Sequence, residues 1–208
     1  MWSWIIVAGT MLLSMNACGS SGPLPTAQDK PTQVAQQAGG PGSSVQRLRM
    51  QAERGNVEAQ FALAQAYDRG RDVPKDKTEA VRWYRLAATQ GDAFAQNALG
   101  DNYWEGTGVP KNDTEAARWW QLAAAQGFAP AQHSLGKILS GGSQGVRSDK
   151  VHAYMWLALS AAQGDEEAGR QGDLLSKQLK PAEIMNAKKL LKQWKPSRAS
   201  IMVNKIVQ

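Results

Sequence analysis

The chain has 208 residues and carries 24 Lys and Arg against 18 Asp and Glu, a formal charge of +6. That length allows one folded domain with appendages. The moderate charge, with no basic run interleaved with aromatics, argues against nucleic acid as the partner. The single cysteine, Cys18, excludes an internal disulfide as a covalent staple.

The first element is an apolar run from Trp4 to Met15. It is too short to cross a bilayer as a permanent helix, but it suits the core of a secretory signal. No Lys or Arg precedes it. The run leads into Met15-Asn16-Ala17-Cys18-Gly19, which resembles a bacterial lipobox, with Ala17 fitting and Met15 and Asn16 departing from the favoured residues. Residues 1–17 are therefore expected to be a signal peptide and Cys18 the lipidated first residue of an exported protein, anchored to the outer membrane or the periplasmic side. The alternative is a soluble periplasmic or secreted chain. Residues 18–44 are rich in Gly, Pro, Ser, Ala and Gln without apolar periodicity, which reads as a disordered tether.

From there a 36-residue repeat runs in register through Gly55, Gly91 and Gly127, with a fourth start at Gly164. A period of this size marks an array in which each unit buries its apolar face only against its neighbours. Val45 to Gly55 aligns with the second half of a repeat and reads as an N-terminal cap opening near Ser43 or Ser44. Each full repeat reads as helix, loop, helix. In the second copy Ala95, Ala98, Leu99 and Tyr103 share one face of the first helix. Gly106 and Gly108 with Pro110 end that helix, and Asn112 with Glu115 gives a capping-box start to the next. Trp83, Trp119 and Trp156 recur in register with core alanines, so they are expected to pack rather than bind a ligand. The third copy has one extra loop residue, Leu139 in place of tyrosine, and Ser148 where the capping box should stand. Its loop is expected to be the most mobile of the array. The repeats occupy 45–164, two capping helices are expected over 165–195, and 196–208 form a tail.

The recurring pattern, carried in the second copy by Ala95, Gln96, Leu99, Gly100, Tyr103, Gly106, Gly108 and Val109, then Ala116, Trp119, Ala123, Ala124, Gln126 and Gly127, resembles the SLR (Sel-one-like) repeat, a relative of the tetratricopeptide repeat. The resemblance implies an all-α fold, a right-handed α-α solenoid that binds proteins or peptides without catalysing a reaction. By the tetratricopeptide analogy, first helices line a concave groove, and the positions between packing residues face it. Those are Phe61, Gln65, Asp68, Asn97, Asp101, Trp104, His133 and Lys137, with Ser140 beside them. Trp104 is the sharpest candidate, because an exposed Trp is a typical interface anchor.

No His, Cys, Asp and Glu set has metal-ligand spacing, and no phosphate-cradling turn or nucleophile elbow is present, so no cofactor is expected. Equivalent positions in adjacent repeats lie close, which would permit a catalytic pair such as His133 with Asp101. The expected function is a non-catalytic interaction or adaptor module at the bacterial cell envelope. Its partners would be a protein or peptide and the membrane, the latter through Cys18. An envelope polysaccharide binder is the first alternative, and a hydrolase of cell-wall or antibiotic substrates the second.

Overall fold

A computed structural model describes residues 41–197 of the chain. The expected signal peptide, Cys18, most of the tether and the tail beyond 197 lie outside the described residues. Among those described, nine α-helices follow in order: α1 Pro41–Glu53, α2 Val57–Arg69, α3 Lys77–Thr89, α4 Ala93–Glu105, α5 Asp113–Ala125, α6 Ala129–Gly141, α7 Lys150–Ala161, α8 Glu166–Ser176 and α9 Pro181–Gln193. The helices from α1 to α8 each pack on the next in the chain, and α9 packs on α7. This is an all-α solenoid of helix pairs, with α2, α4, α6 and α8 as first helices.

Local chemistry explains the boundaries. Asn56, Asp92 and Asp165 cap α2, α4 and α8 by accepting from the third residue on, at 2.7, 2.8 and 2.9 Å. Between repeats the chain turns at Gly55, Gly91, Gly127 and Gly164, where φ is +87 to +96°, a region open chiefly to glycine. The capping boxes form only by half. Asp76 and Asn112 accept from the backbone of Glu79 and Glu115, but those two glutamates turn to Arg82 and Arg118 in the following turn.

Two boundaries differ from expectation. The first helix opens at Pro41, ahead of Ser43 and Ser44, since Pro is well tolerated in a first turn. In the third copy the cap is Asp149, not Ser148, and it accepts from His152 N at 3.0 Å. The third loop is also built in rather than loose. Ser143 and Val146 form a bridge, Val146 is buried, Asp149 N donates to Leu139 O at 2.8 Å, and the Ser143 hydroxyl donates to Asp113 at the start of α5.

The core is continuous along the array. Its N-terminal part runs from Leu48 to Leu99 and its C-terminal part from Ala116 to Leu179, with Phe94 and Tyr103 packed against both. Trp83 and Trp156 are buried and Trp119 half-buried in it, as packing residues. Trp194, just past α9, joins it by meeting Trp156 edge-on at 6.3 Å.

Polar clamps tie repeat to repeat. Gln60, Gln96 and Gln132 are buried and donate to Ala52 O, Ala88 O and Ala124 O at 3.0, 3.0 and 3.2 Å. Their amide oxygens accept from Gln90, Gln126 and Gln163 at 2.7, 2.8 and 2.8 Å. A second clamp joins Arg49 to the Tyr67 hydroxyl and Arg85 to the Tyr103 hydroxyl. It ends where Leu139 replaces the tyrosine and Gln121 the arginine.

Ring size and backbone approach are matched across each helix pair. A Cβ on Gly100 would stand 2.5 Å from the Trp120 ring, whereas the first copy has Ala64 in that register and Tyr84 in the register of Trp120. Gly100→Ala is therefore expected to destabilise by about 1–3 kcal/mol through overpacking, less the gain of up to about 1 kcal/mol in helix propensity. Adding Trp120→Tyr should recover part of the loss. Urea melts of the two single variants and the double variant test this, and additive losses would contradict it.

Candidate functional site

The first-helix positions singled out in the sequence divide into several settings. Phe61 is not a groove residue: it is 8% exposed, with the Tyr84 ring at 5.7 Å and the Phe94 ring at 5.9 Å. Phe94 in turn meets Phe128 at 4.8 Å. All three phenylalanines of the chain thus form one row that bridges successive repeats, which removes Phe61 from the surface. Gln65 is half-buried on the same helix, and Asp68 is closed by Lys77 at 2.6 Å.

At the other end, His133 and Asp101 do not form a pair. His133 Nδ1 lies 2.8 Å from Asp165 Oδ2, which also accepts from the Ser160 hydroxyl at 3.0 Å. Burial opposes the charge on Asp165, but hydrogen bonds from Ala168 N, Ser160 and His133 outweigh it and hold the carboxyl below its usual range. Lys137 is exposed and lines a cavity of about 450 Å³ between α6, α7 and α8, with Ser140, Gln171 and Leu174.

Asn97, Asp101 and Trp104 are brought together on α4, where spacings of three and four residues share a face. Asp101 is half-buried. Its Oδ1 accepts from Trp120 Nε1 and its Oδ2 from Asn97 Nδ2, both at 2.9 Å. Trp104 is also half-buried, with its ring 5.8 Å from that of Trp120. The Lys111 ammonium stands over the Trp104 ring, 4.7 Å from its centroid. The Asn97 amide oxygen is buried and accepts no hydrogen bond from a described residue.

The electrostatics of this cluster are unusual for the array. Burial pushes the Asp101 carboxyl up to about 6, and Glu105 one turn away pushes in the same direction. The bonds from Trp120 and Asn97 act against the shift without cancelling it. The buried Tyr84 hydroxyl is raised above its ordinary range, by desolvation first and then by Asp68 and Asp101. Those two carboxylates stand on successive first helices, α2 and α4.

Two members of the cluster are hidden in the sequence. Trp120 reads as a core residue, which it is, yet its indole N–H is what holds Asp101. Lys111 reads as part of a loop. Only the fold brings it over Trp104. Among the described residues no group of three or more His, Cys, Asp or Glu is placed to hold a metal ion, and no helix is long and apolar enough to cross a membrane.

The Sel1 repeat family model matches residues 57–92, 93–128 and 129–165, together more than half of the chain. The structure is similar to that of a Sel1 repeat protein from Oxalobacter formigenes, at 39% identity and a TM-score of 0.57, over 62% of this chain and 96% of that one. It is also similar to a protective antigen present in uropathogenic Escherichia coli strains that displays an SLR fold, at 28% identity and a TM-score of 0.54. That match covers 73% of this chain and 40% of the antigen's length. No curated protein matches the chain. Three repeats in register, packed as consecutive helix pairs and matched by these structures, establish that the chain belongs to the Sel1 repeat family.

Proposed function

We propose that this chain is a non-catalytic adaptor of the bacterial cell envelope, tethered through a lipidated Cys18, and that it takes a protein or peptide partner on the first-helix face around Asp101 and Trp104. Sel1 repeat proteins mediate protein–protein interactions. The observation that carries the finer reading is the Asp101, Asn97 and Trp104 cluster. It places a half-buried carboxylate and an indole on an open helix face, although neither group is required by the repeat. An aromatic anchor beside a desolvated polar group is the usual make-up of an interface centre. The sequence around Cys18 supports the tether, and one structural neighbour, a protective antigen, fits an exported location.

The test is capture from detergent-solubilised envelopes with the native chain, Trp104→Ala and Cys18→Ala. Trp104→Ala is expected to weaken capture of the main partner about tenfold or more, the effect of an interface anchor. Cys18→Ala should leave the membrane fraction yet still bind. Intact capture by a Trp104→Ala chain that melts earlier would show the ring to be packing alone. A mature mass beginning elsewhere than Cys18 would remove the anchor.

A further inference from the structure

We infer that the cluster on α4 recognises a guanidinium group, so that the partner presents an arginine to Asp101 with the Trp104 ring as its platform. This rests on the adaptor reading and names the chemistry of its partner. The acidic residues of the first-helix face differ in one respect. Asp68 is neutralised by Lys77 at 2.6 Å, and Asp165 has His133 at 2.8 Å. Asp101 has only the uncharged donors Trp120 Nε1 and Asn97 Nδ2, and no ion pair among the described residues involves it. A half-buried carboxylate without a counter-ion is the group on this face that gains most from an incoming cation.

The platform already carries a cation. Lys111 Nζ occupies the Trp104 face at 4.7 Å from the centroid, while its own side chain is 58% exposed and its ion pair with Asp113 is long, at 3.6 Å. That ammonium is largely solvated, so an incoming cation that sheds water more readily can displace it. Asp101 and Trp104 stand three residues apart on one helix, so a single planar group can meet the carboxylate with its N–H edge and the indole with its face. Guanidinium does both, being flat, weakly hydrated and forked. An ammonium is a strongly hydrated point charge, less suited to stacking.

The probes are N-acetyl-arginine methylamide, its lysine counterpart and its uncharged citrulline counterpart, titrated into the full chain at constant ionic strength. The readout is the NMR shifts of the Trp104 and Trp120 indole N–H. The arginine probe should give saturable shifts at both indoles, with the lysine and citrulline probes weaker by about fivefold or more. Asp101→Asn should abolish saturation, and Lys111→Ala, which clears the ring, should tighten binding. Shifts that do not saturate, that match the citrulline probe, that are equal for the lysine probe or that survive Asp101→Asn would overturn the inference. Capture of an envelope protein that persists alongside such a result leaves the adaptor reading standing and assigns the partner a different chemistry.

Discussion

Replacing Gln132 with alanine is expected to cost about 3 kcal/mol, the largest loss of any single polar substitution in the array. The side chain is fully buried. It donates to Ala124 O at 3.2 Å and accepts from Gln163 Nε2 at 2.8 Å, so it links the end of α5, the start of α6 and the turn after α7. Truncation removes two hydrogen bonds, each worth about 1 kcal/mol net. It also leaves a space that close-packed neighbours fill only in part. Gln163→Ala removes only the outer half of the clamp, and because water can follow the lost side chain of this exposed residue to the Gln132 oxygen, it should cost about 1 kcal/mol. Gln60→Ala acts nearer the N-terminal end, where a stacked array frays first, and should fall between. Urea unfolding followed by tryptophan fluorescence ranks the three. A Gln132→Ala loss below about 0.5 kcal/mol, within the range of an ordinary surface substitution, would remove the clamp from the account of stability.

The clamp shows what one sequence can and cannot reveal. A spacing of 36 residues with Ala, Trp and Gly in register states the helix pairs and the packing role of Trp83 and Trp156, because periodicity is itself the geometry. Gln60, Gln96 and Gln132 stand in the sequence as repeated letters, and so do Gln90 and Gln126. Their pairing across 30 or 31 residues is not legible there, since two helices and a turn intervene. The Arg85 and Tyr103 pair is equally hidden, although its joint loss at Gln121 and Leu139 is a trace left in the letters. Phe61 misleads because it breaks the repeat. A residue outside the pattern reads as surface, whereas Phe94 and Phe128, also outside it, supply the burial. The α4 site is half legible. Asn97, Asp101 and Trp104 follow from helical spacing, but Trp120 and Lys111 reach them only through the fold.

Asp101→Asn is expected to make the protein more stable at neutral pH, by up to about 3 kcal/mol. Its carboxyl is raised from 3.8 to about 6 in the folded chain. The folded state therefore holds a proton that the unfolded chain has released, and stability falls as pH rises through that window. Below about pH 3.8 both states are protonated and no penalty exists. Above about pH 6 the penalty is complete, having grown by about 1.4 kcal/mol for each pH unit between the two values. The introduced amide cannot ionise. Its oxygen can keep the bond from Trp120 Nε1, while its NH₂ replaces the oxygen that accepts from Asn97 Nδ2, so the Asn97 amide must turn over and accept through its own oxygen, which is buried and accepts nothing from a described residue in the native chain. The native and variant stabilities should coincide near about pH 3.5 and separate between about 4 and 6, the variant lying above. Other carboxylates, Asp165 included, cancel in that difference. Equal stability at pH 7, or a gap that widens toward acid, would show that Asp101 carries no strain. A residue that lowers stability at neutral pH, and whose neutral isostere keeps both partners once the Asn97 amide turns over, is of the kind a binding site retains at a cost in stability. That is the thermodynamic counterpart of the binding role assigned to it, and both are read from the same substitution: Asp101→Asn should strengthen the fold while it silences the site.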